Sequence, residues 1–380
     1  MFIPFRLKQA RERRKLTKKA LADLIGISSK TVSVYESHQP QFELQDEMIQ
    51  KFAHALGYPF GYFFKDIEDT VDPESISFRA VTKLSSGLKL ATEASSLNAL
   101  ELSEWIDSKF KSLPRVDLPD YSHDNRHDCE VAAMELRELW SLGELSIKNM
   151  IHLLESKGVR VFSLSEDCKD VDAFSFWKGE KPFVVLNQFK TPERSRFDAA
   201  HELAHLVLHK HGYQNKGREA ELEADRFASS FLMPRGSVLS KVRPNANATL
   251  KDIIALKRNW NVSAMAMIRR LFDLKCLTEW QYRQLSIKAT KEGYRSAEPE
   301  GLSRREQSLL LEKVFMSLKE KGYGRADICN ELSLPMDELA SLTFNNPMFS
   351  LSLVGDNIGA KQQHYRAKEQ NHRASLSLVK

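Results

Sequence analysis

The stretch Phe197–His209 constrains this chain more than any other, because it places two histidines four residues apart in a segment of helical periodicity. Residues four apart leave the same face of a helix about one turn from each other, so His201 and His205 can bind one metal ion. The spacing suits zinc, which in catalytic sites takes three protein ligands and keeps a fourth position for water. Glu202 follows His201 directly and can stand beside that water as general base.

A third ligand is expected from the next helix, which offers Glu219, Glu221 and Glu223. At about 100° per residue, Glu221 lies roughly 50° from the centre of the apolar face, Glu223 roughly 110° and Glu219 roughly 150°. The periodicity therefore predicts Glu221 as the ligand and a solvated face for the other two. Asp225 follows Glu221 by one turn, where its carboxylate can accept the free ring N–H of a liganding histidine.

Further histidines lie close to this segment. The metal helix is predicted to end at His209-Lys210-His211-Gly212, where basic groups meet the negative end of the helix dipole. His209 and His211 are therefore interpreted as capping or packing residues, although His209 continues the face of the two ligands. His123 and His127 fall in a segment that we interpret as a polar loop.

Both helices together resemble the ImmA/IrrE group of small gluzincin-type metallopeptidases, through His201-Glu202-Leu203-Ala204-His205 and the run Glu221–Pro234. The resemblance extends from about residue 77 to about residue 299. It implies zinc on the two histidines and Glu221, with Glu202 as the base. Ala204 stands where glycine is frequent in the group and Asp225 where asparagine is frequent, and neither departure removes a ligand.

The N-terminal residues show a second pattern. Residues 1–30 carry nine Lys or Arg against two acidic residues. A basic helix is predicted over residues 5–15; Thr17 is a suitable N-cap for a helix to Ile25, Gly26 provides a tight turn, and a third helix runs from Ser28 or Ser29 to Glu36. Two short helices around a glycine turn are typical of a helix-turn-helix.

This pattern resembles the Cro and lambda-repressor (XRE) type of DNA-binding domain. The resemblance implies five helices, the last two at about Gln45–Leu56 and Pro59–Phe64, and domains of this type generally bind as dimers. Short side chains at the start of the third helix would meet base edges, and basic residues nearby would meet phosphates. The predicted base contacts are Ser28, Ser29, Lys30 and Ser33, and the predicted phosphate contacts are Arg13, Arg14, Lys18 and Lys19.

A period of two appears just before the metal helix, in three β-rich runs at 158–164, 173–177 and 182–187, with a turn at 178–181. They predict a small sheet. The metallopeptidase resemblance suggests that an edge strand of this sheet holds substrate in extended form.

Taken over 380 residues, these patterns predict a mainly α protein with a small β-sheet, in two or three domains. The predicted division is a helix-turn-helix domain at 1–66, a linker at 67–80, a metallopeptidase domain at 81–300, a C-terminal helical region at 301–354 and a disordered tail at 355–380. Part of the C-terminal region could pass for a second helix-turn-helix, but its acidic residues would face phosphate, so a packing or sensing element is favoured.

Composition supports a cytoplasmic protein. Hydrophobic residues make up 42% of the chain and charged residues 28%, as in ordinary soluble proteins. No apolar run approaches the ~18 residues of a membrane span, and the start is too quickly basic for a secretory signal. Four cysteines without a CxxC pair exclude a disulfide framework and a zinc knuckle.

The function predicted from the sequence is a transcription regulator that binds a double-stranded DNA operator and carries one Zn²⁺ per chain in an endopeptidase that cleaves a repressor protein. Imidazole and carboxylate ligands would also accept manganese or iron. The alternative is a regulator whose metal domain senses a ligand or metal without turnover. A third hypothesis, the regulatory member of a toxin–antitoxin pair, is compatible with both.

Overall fold

The computed structural model describes residues 1–37, 44–66, 77–78, 86–122, 128–164, 173–210, 217–242, 248–295 and 297–349. The predicted polar loop around His123 and His127, His211, the predicted tail and most of the predicted linker lie outside these residues. The chain divides into two compact units, and neither is continuous in sequence. Unit 1 comprises Met1–Ile67, Leu97–Pro114 and Leu310–Lys380, and unit 2 comprises Glu68–Ser96 and Arg115–Leu309.

Unit 1 begins with the predicted helical series. The helices are α1 (Pro4–Arg13), α2 (Lys18–Ile25), α3 (Ser29–Tyr35) and α4 (Asp46–Leu56), followed by a 3₁₀ helix (Phe60–Phe64). The fifth predicted helix is therefore present in the tighter 3₁₀ form. Apolar side chains from every one of these elements are buried, and they form the core of the series: Leu7, Leu21, Val32, Phe52 and Phe63.

Local capping explains the turn between α2 and α3. The Thr17 hydroxyl accepts a hydrogen bond from the backbone N–H of Ala20 at 3.1 Å and starts α2. Gly26 ends α2 with a φ of 73°, a left-handed conformation that glycine adopts without steric cost. The Ser28 hydroxyl then accepts from the N–H of Thr31 at 3.0 Å and starts α3. The short helices and their turn thus follow from three local signals.

Unit 1 also contains helices from distant parts of the sequence. From Leu97 onward, α5 (Ser86–Lys109) belongs to it, as do α14 (Leu309–Glu320) from Leu310, α15 (Arg325–Leu332) and α16 (Met336–Leu342). Glu101 of α5 forms ion pairs with Arg6 and Lys65. Glu338 of α16 forms a buried ion pair with Arg13 of α1 at 2.8 Å. The C-terminal helices therefore complete the unit that begins with α1.

Unit 2 contains a four-stranded sheet in the order β1-β3-β4-β2. Its strands are β1 (Ser77–Phe78), β2 (Arg160–Ser163), β3 (Ala173–Lys178) and β4 (Lys181–Leu186). β3 and β4 form an antiparallel hairpin through the Gly179-Glu180 turn, β2 runs parallel to β4, and β1 pairs antiparallel with β3. The three strands and the turn predicted from the two-residue period are confirmed. β1 falls inside the segment predicted as linker, so that part of the linker is instead paired in the sheet.

Alternation along β3 gives the sheet two different faces. Phe174 and Phe176 point to one side, where Phe176 stacks on Phe183 of β4 with ring centroids 4.9 Å apart. Ser175 and Trp177 point to the other side and donate hydrogen bonds to residues of α8 (Pro192–Leu208). The sheet therefore forms a support for α8.

Other helices of unit 2 pack against the sheet, against α8 or against one another. α8 packs against the sheet and against α9 (Arg218–Leu232), and α6 (Cys129–Leu139) covers α9. The others are α7 (Met150–Ser156), α10 (Arg235–Leu239), α11 (Leu250–Lys257), α12 (Ala264–Asp273) and α13 (Glu279–Lys291). Within the described part of the chain, no helix is both long enough and apolar enough to span a membrane.

Candidate metal centre

The two predicted histidine ligands lie on the buried side of α8. His201 is fully buried, His205 is 5% exposed and Glu202 is 1% exposed. The Nε2 atoms of His201 and His205 are 3.1 Å apart, as expected for imidazoles one helical turn apart on the same face. The helix thus brings both rings to a single point inside unit 2.

Glu221 of α9 closes the group. Its two carboxylate oxygens lie 3.5 Å from His201 Nε2 and from His205 Nε2, respectively. The three potential ligand atoms all lie within 4.8 Å of one another. Of the three glutamates that the sequence offered, the geometry brings Glu221 to the histidines, while Glu219 is exposed.

Asp225 contacts the far side of the first imidazole. Its Oδ1 lies 2.9 Å from His201 Nδ1, so the ring can donate its Nδ1 proton to the carboxylate. That hydrogen bond leaves the Nε2 lone pair of His201 directed towards Glu221 and His205. The position is the one predicted for Asp225 from helical spacing.

Glu223 is not confined to the solvated face that the helical angle predicted. Its Oε2 lies 3.0 Å from His209 Nε2, and His209 Nδ1 lies 3.0 Å from His205 Nδ1. The helical angle gave only the direction of the Cα–Cβ bond, and the long side chain of Glu223, which is 32% exposed, also reaches a partner at the end of α8. His209 does cap α8, as predicted, and in addition joins Glu223 to His205.

Ser175 is a site residue that the sequence did not indicate. Its hydroxyl donates a hydrogen bond to Glu202 Oε2 at 2.7 Å, and both residues are buried. The strand pattern predicted Ser175 within a β-run, but its contact depends on the face of β3 that meets α8. This hydrogen bond fixes the carboxylate of Glu202 beside the histidines.

The electrostatics of the group favour a neutral His205 and an ionised Glu221. Burial lowers the pKa of His205 to about 4, with the neighbouring His201 and His209 acting in the same direction and Glu221 opposing them. Burial opposes ionisation of Glu221, but its interactions with His201 and His205 outweigh burial and lower its pKa to about 2. At neutral pH the site therefore presents an uncharged His205 beside an anionic carboxylate.

This donor set fits Zn²⁺. With its Nδ1 proton directed to Asp225, His201 turns an unshared Nε2 electron pair towards the Nε2 of His205 and an anionic carboxylate. A cation between these groups would relieve the unfavourable juxtaposition. Two imidazoles and one carboxylate are a ligand set of catalytic zinc sites, so His201, His205 and Glu221 are the residues that would hold the ion.

A cavity of about 450 Å³ is lined by Asp225 and by other residues of α8, α9 and α12. Phe197 and Leu222 provide apolar walls, and Arg194 and Arg226 add positive charge. The volume lies in the range of small-molecule pockets and is large enough for an amino-acid side chain.

The predicted DNA contacts of unit 1 fall into two groups. Ser28, Ser29, Lys30, Lys18 and Lys19 are exposed and Ser33 is half-buried, with Lys18 Nζ 3.7 Å from Glu36.

Arg13 and Arg14 differ from that group. The Arg13 side chain is 2% exposed and paired with Glu338, and Arg14 pairs with Asp337 at 2.7 Å. Burial and its ion pair withdraw the guanidinium of Arg13 from a phosphate, whereas the side chain of Arg14 is 25% exposed. The carboxylate that pairs with Arg13 belongs to Glu338, 325 positions downstream, so the local basic pattern could not reveal this ion pair.

Together, unit 1 and the histidine cluster of unit 2 define the class of this chain: a DNA-binding protein that also carries a peptidase-type domain. Comparison with family models agrees with that division. The helix-turn-helix model matches residues 7–63, and the model described as the IrrE N-terminal-like domain, peptidase family M78, matches residues 154–272. The chain therefore combines a helix-turn-helix domain of the XRE type with a domain of the IrrE-like peptidase family, as its sequence motifs predicted. No curated protein matched the chain.

Proposed function

We propose that this chain is a transcription regulator whose unit 2 is a zinc-dependent endopeptidase that cleaves a repressor protein. The observation that carries the proposal is the convergence of His201, His205 and Glu221 within 4.8 Å, beside a buried Glu202. Peptide-bond hydrolysis by this type of site needs three ligands, one base and access for an extended peptide.

In the proposed reaction His201, His205 and Glu221 would hold Zn²⁺, which would supply Lewis acidity towards the attacking water and the peptide carbonyl. Glu202 removes a proton from the attacking water and then passes it to the nitrogen of the leaving amine. Ser175 holds Glu202 Oε2 during both transfers through the hydrogen bond of 2.7 Å. Asp225 fixes the tautomer of His201 from the opposite side.

Substrate would bind in extended form along an edge strand of the sheet, as the resemblance to the ImmA/IrrE group suggests. Among the described residues, the outer strands are β1 and β2. The cavity between Phe197 and Leu222 would accept a substrate side chain.

Unit 1 would bring the enzyme to a DNA operator. The proposed base contacts are Ser28, Ser29, Lys30 and Ser33, and the proposed phosphate contacts are Arg14, Lys18 and Lys19. A repressor is proposed as the substrate because members of the ImmA/IrrE group, which this chain resembles, are known for cutting helix-turn-helix repressors. The repressor could be encoded nearby or be a second copy of this chain.

Metal content is the first test. Purified wild-type protein is expected to contain about one zinc per chain by mass spectrometry, and His205→Ala is expected to lose it. Wild-type protein purified without chelator but free of metal would contradict the zinc site and support a regulator without catalysis.

Turnover is tested with Glu202→Gln, which removes the base but keeps all three ligands. It is expected to retain zinc and to lose both repressor cleavage and derepression of a reporter gene, with a rate at least about 100-fold lower. Unchanged derepression in Glu202→Gln would favour the alternative in which the metal domain acts as a sensor. Mass spectrometry of the repressor would identify the cleaved bond.

A further inference from the structure

His209 and Glu223 form a line of hydrogen-bonding groups that leads away from His205 and is not part of the proposed ligand set. We infer that both are positioning residues, which hold the imidazole of His205 in the tautomer and orientation that a metal ion requires. The inference rests on the proposed metal site, because without an ion there is nothing for the oriented ring to bind. It assigns to these side chains a role that neither helix capping nor a solvated surface requires.

Proton positions along the line follow from its two distances. His205 can bind a metal through Nε2 only if its proton is on Nδ1, which lies 3.0 Å from His209 Nδ1. A neutral His209 must then accept at Nδ1 and carry its own proton on Nε2. That proton points at Glu223 Oε2, 3.0 Å away, and a carboxylate accepts it. Every donor on the line therefore has an acceptor.

The reverse arrangement of the neutral rings leaves Glu223 without a donor and prevents His205 from binding a metal through Nε2. If His209 donated from Nδ1, its Nε2 would carry a lone pair facing the carboxylate of Glu223. His205 would then carry its proton on Nε2, which faces His201 Nε2 and Glu221. The carboxylate of Glu223 thus selects the direction of the whole line and keeps the Nε2 lone pair of His205 available to an ion.

The other ligand is oriented in the same way by a shorter route. Asp225 contacts His201 Nδ1 directly at 2.9 Å, whereas Glu223 reaches His205 through His209. Both carboxylates lie on α9, one position either side of Ala224 and on the same helix as the ligand Glu221. α9 therefore supplies one ligand and the carboxylate ends of both orienting contacts.

Burial strengthens the role of His209. Its side chain is 16% exposed and that of His205 is 4% exposed, so water has little access to the bond between the rings. Without His209, the ring of His205 would lack this hydrogen bond at Nδ1 and could rotate about its χ2 angle. Loss of a hydrogen-bonding partner of a metal-binding histidine typically lowers metal affinity by about 10- to 100-fold.

The test is the zinc dissociation constant of the full-length chain, measured by competition with a chromogenic chelator. His209→Ala and Glu223→Gln are each expected to weaken zinc binding by about 10- to 100-fold. Because they act in series on one ring, the double variant should be no weaker than His209→Ala. Glu219→Gln is the matched control: it removes an exposed carboxylate from the same helix and should leave affinity unchanged.

A conservative variant separates positioning from general structural support. His209→Asn keeps an acceptor oxygen near the position of Nδ1 and is expected to recover a large part of the affinity lost in His209→Ala. In ¹⁵N NMR spectra of the zinc-loaded protein, His209 is expected to carry its proton on Nε2 and His205 on Nδ1. Glu223→Gln, an isosteric change at a partly exposed position, serves as the second variant if His209→Ala fails to fold.

The outcomes separate this inference from the proposed function. Zinc binding within twofold of wild type in both His209→Ala and Glu223→Gln would overturn the inference alone, as would a proton on Nε2 of zinc-bound His205. Failure of the wild-type chain to bind zinc would overturn the proposed metal site and the inference with it. Zinc binding by the wild type that is lost in His205→Ala but only weakened in Glu223→Gln would support both.

Discussion

The carboxylate of Glu338 accepts a hydrogen bond from Arg13 Nε at 2.8 Å, although 325 positions separate the two residues. Both side chains are 2% exposed, so the contact is a buried ion pair. The same carboxylate receives Arg14 Nη1 at 3.3 Å through its other oxygen. The basic end of α1 is therefore neutralised by α16, and the C-terminal helices are a structural part of the unit that contains the helix-turn-helix.

Glu338→Gln is expected to destabilise unit 1 by about 3–5 kcal/mol, because it removes the carboxylate that pairs with the buried guanidinium of Arg13. Hydrogen exchange of α1 peptides, followed by mass spectrometry of the full chain, measures this loss as faster exchange. Asp337→Asn is the control, since the Asp337 side chain is 61% exposed and such pairs contribute about 0–1 kcal/mol. Equal protection of α1 in Glu338→Gln and wild type would contradict a structural role for the pair.

Local signals made the helix-turn-helix predictable. Thr17 caps α2 and Gly26 ends it, and each acts within four residues of its own position. The partner of Arg13 could not be predicted in this way, because the acidic residue lies in a distant helix whose packing no local pattern specifies. For this reason the sequence indicated a phosphate contact where the structure has an ion pair.

At the candidate metal site too, the sequence predicted the residues on each helix but not the contacts between elements. His201 and His205 follow from helical spacing, and the orientation of Glu221 follows from the apolar face of α9. The contact of Ser175 with Glu202 depends on which face of β3 meets α8, and the two-residue period leaves both faces possible when both are buried. The reach of Glu223 to His209 depends on where α8 ends relative to α9, which helical angles alone do not give.

Ser175→Ala is expected to lower the rate of peptide cleavage by roughly tenfold, in line with the loss of one hydrogen bond of about 1.5 kcal/mol to a charged group. The Ser175 hydroxyl orients Glu202 without contacting the three proposed ligands. Zinc content should therefore remain at the wild-type level while kcat falls. Steady-state kinetics on a fluorescent peptide that contains the mapped cleavage site would measure the change.

Ser175→Thr provides the matched comparison for that variant. It retains a hydroxyl and adds a methyl group that a strand tolerates. Recovery of most of the rate in Ser175→Thr is expected. A wild-type rate in Ser175→Ala would show that Glu202 does not need this hydrogen bond.

The low pKa of His205 gives the zinc-free protein a pH-dependent stability. In the unfolded chain the imidazole takes up a proton near its ordinary pKa of 6.5, whereas in the folded chain it does so near 4. The unfolded state therefore binds more protons between these values, and stability falls as the pH drops from 6.5 to 4. Below 4 both states are protonated and this contribution no longer changes.

Unfolding by urea in the presence of chelator measures that effect. Between pH 7 and pH 5, the wild-type chain is expected to lose about 2 kcal/mol more stability than His205→Gln, which cannot titrate at this position. Contributions from groups that do not interact with His205 are common to both proteins and cancel in the comparison. The same loss in both would show that His205 is not the group responsible.

Lys19 and Lys30 are expected to affect DNA binding in different ways. Both are exposed, but Lys19 lies in the first turn of α2 and Lys30 near the start of α3, the helix proposed to enter the major groove. Lys19→Ala should weaken binding to every sequence alike and reduce the slope of log K against log salt by about 0.9, as for one lost phosphate contact. Lys30→Ala should instead reduce discrimination at one base pair by about 1–3 kcal/mol.

Fluorescence anisotropy over a salt series, on the operator and on single-base variants, separates the two effects. Lys51→Ala, an exposed lysine of α4 paired with Glu47, should change neither quantity. If Lys51→Ala matched Lys19→Ala, the basic residues of unit 1 would be acting through net charge, and the proposed orientation of α2 and α3 on DNA would be wrong.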